Sequence, residues 1–150
     1  MKPYADNRKA RHEYEFLETF EVGLVLSGAE VKSIREGGAR LAGAYLRLWK
    51  GELWLTGSHV APYSKDGRRE GYDPNVEHKV LMHKKELPAL LGKTEQKGLT
   101  LVPLALYPLG RRIKLSFALA RGKKAHDKRE TLKKRDDLRR TQRALRGEDE

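Results

Sequence analysis

Ala44-Tyr45-Leu46-Arg47-Leu48-Trp49-Lys50-Gly51-Glu52-Leu53-Trp54-Leu55-Thr56 opens the stretch, running on to Val60, whose reading decides the fold. Ala44, Leu46 and Leu48 alternate with Tyr45, Arg47 and Trp49. After Lys50-Gly51, Leu53 and Leu55 alternate with Glu52, Trp54 and Thr56. Period-two runs on either side of an X-Gly pair predict a β-hairpin with one apolar face. Trp49 and Trp54 should face each other, or nearly so, across it.

On the C-terminal side, 61–77 is a long loop broken by Pro62, Gly67, Gly71 and Pro74 and charged by Lys65, Arg68 and Arg69. His78 to Met82 reads as a brief strand. Lys84 to Leu91 has helical spacing in Leu87, Leu90 and Leu91, with Gly92 as its stop and Pro88 tolerated near the first turn. Leu99 to Tyr107 and Ile113 to Ala120 read as two strands joined by Pro108-Leu109-Gly110-Arg111. Pro103 cannot donate to a ladder, so its strand needs an edge or a bulge there.

On the N-terminal side, 1–12 is a polar, basic arm. A short strand starts at Glu13, with Tyr14 and Phe16 alternating against Glu15 and Leu17. Thr19 to Ser27 is ambiguous. The spacing of Phe20 and Leu24 favours a short helix ended by Gly28, and a continued strand bulged at Gly23 is the alternative. Ala29 to Arg35 reads as a strand, with Gly37-Gly38 turning after it.

These readings divide the chain into an arm (1–12), a β domain (13–120) and a polar tail (121–150). About six short strands and two or three short helices favour a mainly β, closed antiparallel barrel of oligonucleotide-binding type. Between Arg121 and Glu150 there are twelve Lys or Arg and seven Asp or Glu, but only three large apolar residues: Leu132, Leu138 and Leu145. Such a tail has too little to bury to fold alone and is expected to become helical only against a partner.

The 150 residues are 38% hydrophobic and 35% charged, with formal net charge +11. That balance favours a polyanionic partner, nucleic acid or an anionic membrane surface. The absence of cysteine excludes disulfides and thiolate metal sites and suits the cytosol. The N-terminus lacks the apolar run of a signal peptide, and no run is long enough to span a membrane.

Catalytic signatures are sparse. The histidines are His12, His59, His78, His83 and His126. His78 and His83 are five apart, which does not align two ligands on one helix face. Gly37-Gly38 lacks the Gly-Lys-Ser/Thr of a phosphate-binding loop, and no Gly-x-Ser-x-Gly elbow occurs. No enzymatic activity, cofactor or metal is expected. Basic residues cluster at Asn7 to His12, at Lys65 to Arg69 and at Gly122 to Arg129. Together they point to phosphate contact, which supplies salt-sensitive affinity rather than sequence choice. Taken alone, Glu30 is best read as a strand residue paired with a nearby cation, and His126 as a solvated histidine.

Five motifs then occur in order: Asn7-Arg8-Lys9-Ala10-Arg11-His12-Glu13-Tyr14, Gly28-Ala29-Glu30-Val31-Lys32-Ser33-Ile34-Arg35, Ala61-Pro62-Tyr63, His83-Lys84-Lys85-Glu86-Leu87 and Gly122-Lys123-Lys124-Ala125-His126-Asp127-Lys128-Arg129. From about Asn7 to Arg129 the chain resembles the bacterial SsrA-binding proteins, or small protein B. The resemblance implies an oligonucleotide-binding-type barrel that binds the tRNA-like domain of transfer-messenger RNA and brings it to stalled ribosomes for trans-translation. The barrel would stand in for an anticodon arm. The tail would probe the decoding centre, formed by small-subunit ribosomal RNA, and the empty mRNA channel.

By position, the resemblance makes Asn7, Arg8, Lys9, Arg11, His12, Glu30, Lys32, Leu81 and His83 RNA-binding residues. It assigns Gly122, Lys123, Lys124, His126, Asp127, Lys128 and Arg129 to the decoding-centre contact. It implies a cytoplasmic protein that is monomeric in the RNA complex and makes no membrane contact. Two stretches depart from the family pattern. Ala42-Gly43-Ala44-Tyr45 lacks the acid common two residues before that Tyr, and the Ser64 to Tyr72 loop matches poorly, so neither carries a role here.

Overall fold

The computed structural model describes residues 2–65, 71–96 and 98–123. Their strands are β1 (Ala5–Asp6), β2 (Tyr14–Leu24), β3 (Ala39–Arg40), β4 (Tyr45–Trp49), β5 (Glu52–Thr56), β6 (His59–Val60), β7 (His78–Leu81), β8 (Leu99–Leu109) and β9 (Arg112–Gly122). The helices are α1 (Arg8–Glu13), α2 (Gly28–Arg35) and α3 (Leu87–Thr94). The predicted hairpin is β4–β5, turned by Lys50 and Gly51 at φ 50° and 76°. Two positive-φ residues make the primed turn whose twist matches paired strands. Arg47 stands directly opposite Trp54, so the two tryptophans share a face on the diagonal.

The strands follow one another as β8-β4-β5-β7-β2-β9, and β9 pairs back onto β8, closing a ring of six antiparallel strands. This is the expected oligonucleotide-binding-type barrel. β1 lies along β8, and β3 with β6 forms a separate two-stranded ribbon. Leu53, Leu55, Leu106, Leu115 and Phe117 fill the interior, where Phe20 stacks on Phe117 with ring centres 4.9 Å apart.

Bulges decide which residues enter that interior. β2 shifts register between Phe16 and Glu18, and β8 between Pro103 and Ala105. A shift of one residue moves every later side chain to the other face. Phe20 therefore points inward, while Tyr14 and Phe16 join Ala10, Val102, Leu104, Ala118 and Ala120 in a second apolar cluster beneath α1. The bulge expected at Pro103 is present.

Several expectations are corrected. Thr19 to Leu24 continues β2 and is not helical, and the bulge in that strand lies near Leu17, not Gly23. Phe20, Val22 and Leu24 pack on the barrel core, so their spacing is the strand's period of two. The segment expected as a strand from Ala29 to Arg35 is α2, and Ser27 and Gly28 begin a helix instead of ending one. Ser27 Oγ accepts the Glu30 N–H while the Glu30 carboxylate accepts the Ser27 N–H, a reciprocal capping box. Glu30, Ser33 and Ile34 form the helix's buried stripe.

The arm is built into the domain as β1 and α1. The third helix begins at Leu87, not Lys84, and runs through Gly92 to Thr94, with Pro88 in its first turn where no intrahelical N–H is needed. β9 continues two residues past Ala120, to Gly122.

Candidate nucleic-acid interface

The sequence-predicted RNA-binding residues fall at the two ends of the β2–β9 ladder. Tyr14 pairs with Gly122 at one end and Gly23 with Lys114 at the other. Nine residue steps along the strand separate Tyr14 from Gly23, roughly 30 Å at the usual rise.

At the first end, Asn7 caps α1 by accepting the Ala10 N–H at 3.2 Å. Its Nδ2 donates to Pro103 O at 2.8 Å and to Leu41 O at 3.4 Å. At 3% exposure, Asn7 lies beneath the surface and spends its polar atoms on the fold. Ala10 seats the helix on β8 and β9, which leaves Arg8, Lys9, Arg11 and His12 exposed. Arg11 also pairs with Asp6 at 2.9 Å. Beside this helix the Lys123 N–H donates to Glu13 O at 2.8 Å, so the chain leaves the barrel next to α1. Gly122 and Lys123 are therefore placed. Lys124, His126, Asp127, Lys128 and Arg129 lie outside the described residues, as does the expected behaviour of the tail beyond them.

At the second end, α2, β7 and the β8–β9 turn surround an open groove of about 550 Å³. Leu24, Leu26, Val31, Leu81 and Ile113 supply apolar lining, and Arg111, Arg112 and Lys114 the charge. Leu81 is 52% exposed, unusual for leucine on a strand. Around its far side, Met82, His83 and Glu86 line an adjoining recess that shares Gly23, Leu81 and Lys114 with the groove. Lys32 is exposed, with its ammonium 5.5 Å from the Tyr63 ring centre. Ser33 Oγ donates to Ala61 O at 2.5 Å, docking α2 on the Ala61–Tyr63 segment. Arg35 donates to Arg111 O at 2.9 Å, joining α2 to the β8–β9 turn.

Glu30 holds this end together. It is 8% exposed, and its second carboxylate oxygen accepts from His78 Nε2 on β7. Burial pushes the carboxyl upward, but hydrogen bonds from His78 and from the Ser27 backbone outweigh it and hold Glu30 below the usual carboxylate range. With one oxygen on the α2 cap and the other on β7, Glu30 fixes the groove's wall; its carboxylate is not presented to solvent for a base edge or ribose.

Sequence reasoning gave no role to Arg111, Arg112 and Lys114, which lie between two predicted strands or inside one, and it considered Gly23 only as a possible bulge in a segment favoured as helix. The Ser27-x-x-Glu30 spacing was the available signal for α2 and for the role of Glu30. Lys65 is exposed in its loop, whereas Arg68 and Arg69 lie outside the described residues. Among the described residues, no helix is long and apolar enough to cross a membrane.

The family model described as "SmpB protein" matches residues 4–147. The SsrA-binding protein of Thermosynechococcus vestitus is 50% identical over 145 residues, 97% of this chain and 95% of the relative. That of Desulforudis audaxviator is 51% identical over 146 residues, 97% and 95% of the two chains. A solved structure reported as "tmRNA-SmpB: a journey to the center of the bacterial ribosome" is similar at TM-score 0.66 and 51% identity, covering 80% of this chain and 84% of that one. With a six-stranded barrel, a groove at one end and a basic helix at the other, this chain belongs to the SmpB protein family.

Proposed function

We propose that the protein binds the tRNA-like domain of transfer-messenger RNA and accompanies it into stalled ribosomes for trans-translation. The observation that carries this reading is the pair of basic surfaces at opposite ends of one ladder, since a protein that joins two RNA partners needs two faces. The groove end combines cations with exposed apolar side chains, a mixture suited to a folded RNA with unstacked bases. The α1 end consists mainly of exposed cations and lies where the chain departs toward 124–150. Arg8, Lys9, Arg11 and His12, which the resemblance places with the residues that bind transfer-messenger RNA, are reassigned to ribosomal RNA together with the tail, which reaches the decoding centre. The protein works by binding, as a cytoplasmic monomer on its RNA, and carries out no reaction of its own.

The test is separable behaviour. A chain ending at Lys123 keeps the Lys123–Glu13 hydrogen bond and the whole barrel. It is expected to bind tRNA-like RNA within about twofold of the full chain, yet to give no peptide tagging on stalled ribosomes. Normal tagging by that truncation would remove the tail from the mechanism. Pull-down from bacterial lysate with RNA sequencing should enrich transfer-messenger RNA, and recovery of bulk RNA alone would favour a general single-strand binder.

A further inference from the structure

The ladders of the barrel are unequal. β8 and β9 pair from Leu99–Arg121 to Leu109–Arg112, and β2 runs along β9 from Tyr14 to Gly23. β4, β5 and β7 pair in the same way among themselves. Among the described residues these two sub-sheets meet at two joins. At one, Leu46 facing Leu101 is the single registered pair of β4 and β8. At the other, Gly23 and Leu24 face Leu81 and Val80 of β7. The order of the ring puts the joins on opposite sides, with β5 between them one way round and β9 the other. Open space follows the joins. A recess of about 250 Å³ beside the first is lined by Leu48, Leu91, Leu99 and Leu101, and another of about 180 Å³ lies where Tyr45 approaches Thr100 and Val102. The large groove flanks the second join. Side-chain ties differ as well. α2 braces the β2–β7 join, through Glu30 to His78 on β7 and through Arg35 to Arg111 O in the β8–β9 turn. At the β4–β8 join, Asn7 Nδ2 donates to Pro103 O at 2.8 Å but reaches Leu41 O only at 3.4 Å.

We infer that the barrel is a two-plate device that opens at the β4–β8 seam and hinges at the braced β2–β7 join. The leucines beside the seam face open space on one side, so parting them forfeits few packing contacts. A join held by one registered pair opens far more readily than the long ladders unfold. At the hinge, Gly23 brings no side chain to its pair with Leu81, so the plates tilt there without a clash. Opening one side of a ring pinches the outer surface at the opposite join, and that surface carries the groove. RNA held in the groove and an open seam therefore favour each other. The seam also lies one ladder step from the chain's exit, because Leu99 pairs with Arg121. Occupancy of the groove is thereby relayed to the end from which 124–150 depart. The relay rests on the proposed RNA-binding function, whereas the hinge does not.

The experiment is hydrogen exchange on the full chain, with and without a tRNA-like RNA, joined to a disulfide lock. Amides bonded across the seam, within 45–47 and 100–102, are expected to exchange at least about 100-fold faster than those of Leu115 to Leu119 on β9. Saturating RNA is expected to speed seam exchange at least about fivefold, the reverse of simple protection by a ligand. Because the chain lacks cysteine, Leu46→Cys/Leu101→Cys places one disulfide across the seam. Opposed residues of antiparallel strands lie about 4.5–5.5 Å apart, within disulfide range. The reduced form of the same variant controls for the lost leucine packing. Oxidation is expected to slow seam exchange about tenfold and to weaken RNA binding about fivefold relative to the reduced form. Seam amides as slow as those of β9, measured without RNA, would overturn the hinge whatever the function. Seam exchange unmoved by RNA, or slowed by it, would overturn the relay, as would equal affinity of the oxidised and reduced forms. A double-cysteine chain that fails to fold leaves the parent's two exchange ratios decisive. If the parent binds an unstructured oligonucleotide as tightly as the folded RNA, the functional reading fails, and the exchange ratio without RNA still decides the hinge.

Discussion

The two ends of the β2–β9 ladder carry charge in different ways. At the α1 end the exposed cations sit on a helix fixed from below by Asn7 and Ala10. Asn7 Nδ2 donates to backbone carbonyls, Arg11 pairs with Asp6, and Lys9 shares a smaller recess with Tyr14 and Tyr45. At the groove end cations and apolar side chains are interleaved, and a buried carboxylate braces the wall from behind. Positive charge alone therefore does not distinguish the two surfaces. On the proposed function the first surface serves phosphate contact, and the second adds exposed apolar side chains against which a base would pack.

The change expected to break this contrast most severely is Glu30→Ala. It removes an N-cap partner and leaves His78 without its carboxylate, at a combined cost of about 2–4 kcal/mol. RNA affinity should fall by more than tenfold, while contacts of the α1 end persist. Urea unfolding and RNA titration on one sample check both. Asn7→Ala sharpens the contrast from the other side. Loss of the cap and of two buried carbonyl contacts should cost about 2 kcal/mol, yet affinity per folded molecule should stay within about twofold. A large affinity loss without destabilisation would restore Asn7 as an RNA contact.

Smaller still is the effect of single cations. Lys114→Ala should reduce the slope of log affinity against log salt for tRNA-like RNA by about 0.7–0.9, one phosphate contact. Arg11→Ala should leave that slope unchanged, and its exposed Asp6 pair contributes less than about 1 kcal/mol to stability. The smallest effect is on pH. The Glu30 carboxyl is held below its ordinary value of 4.5 in the folded state, so its stabilisation is complete above that value and is lost as pH falls further. Unfolding curves between pH 6 and 3 should show this loss in the parent, and Glu30→Gln should flatten it.

Much of the barrel was legible in the chain because hairpin and strand signals are local. The Lys50-Gly51 turn, the bulge near Pro103 and the last two strands all follow from neighbours in sequence. The errors arose where distant contacts decide. Phe20 and Leu24 fit a helix or a strand equally until pairing with β9 and β7 selects the strand. Gly28–Arg35 alternates well enough to pass for a strand, and only the Ser27–Glu30 cap separates the readings. The groove was not legible, because Leu81, Gly23 and Lys114 become neighbours only through the pairing of β7, β2 and β9. Lys32 and Tyr63, from two separate motifs, likewise meet only in the fold.

The most direct measurement compares two charge-removal variants on the same RNA and the same stalled ribosomes. One is Arg111/Arg112/Lys114→Ala at the groove and the other is Arg8/Lys9/Arg11→Ala on α1. The groove variant should bind tRNA-like RNA at least about tenfold more weakly, with tagging recovered by excess transfer-messenger RNA. The α1 variant should bind that RNA within about twofold of the parent, with tagging lost and not recovered by excess RNA. Equal weakening of RNA binding by both variants would contradict the division of labour between the two ends.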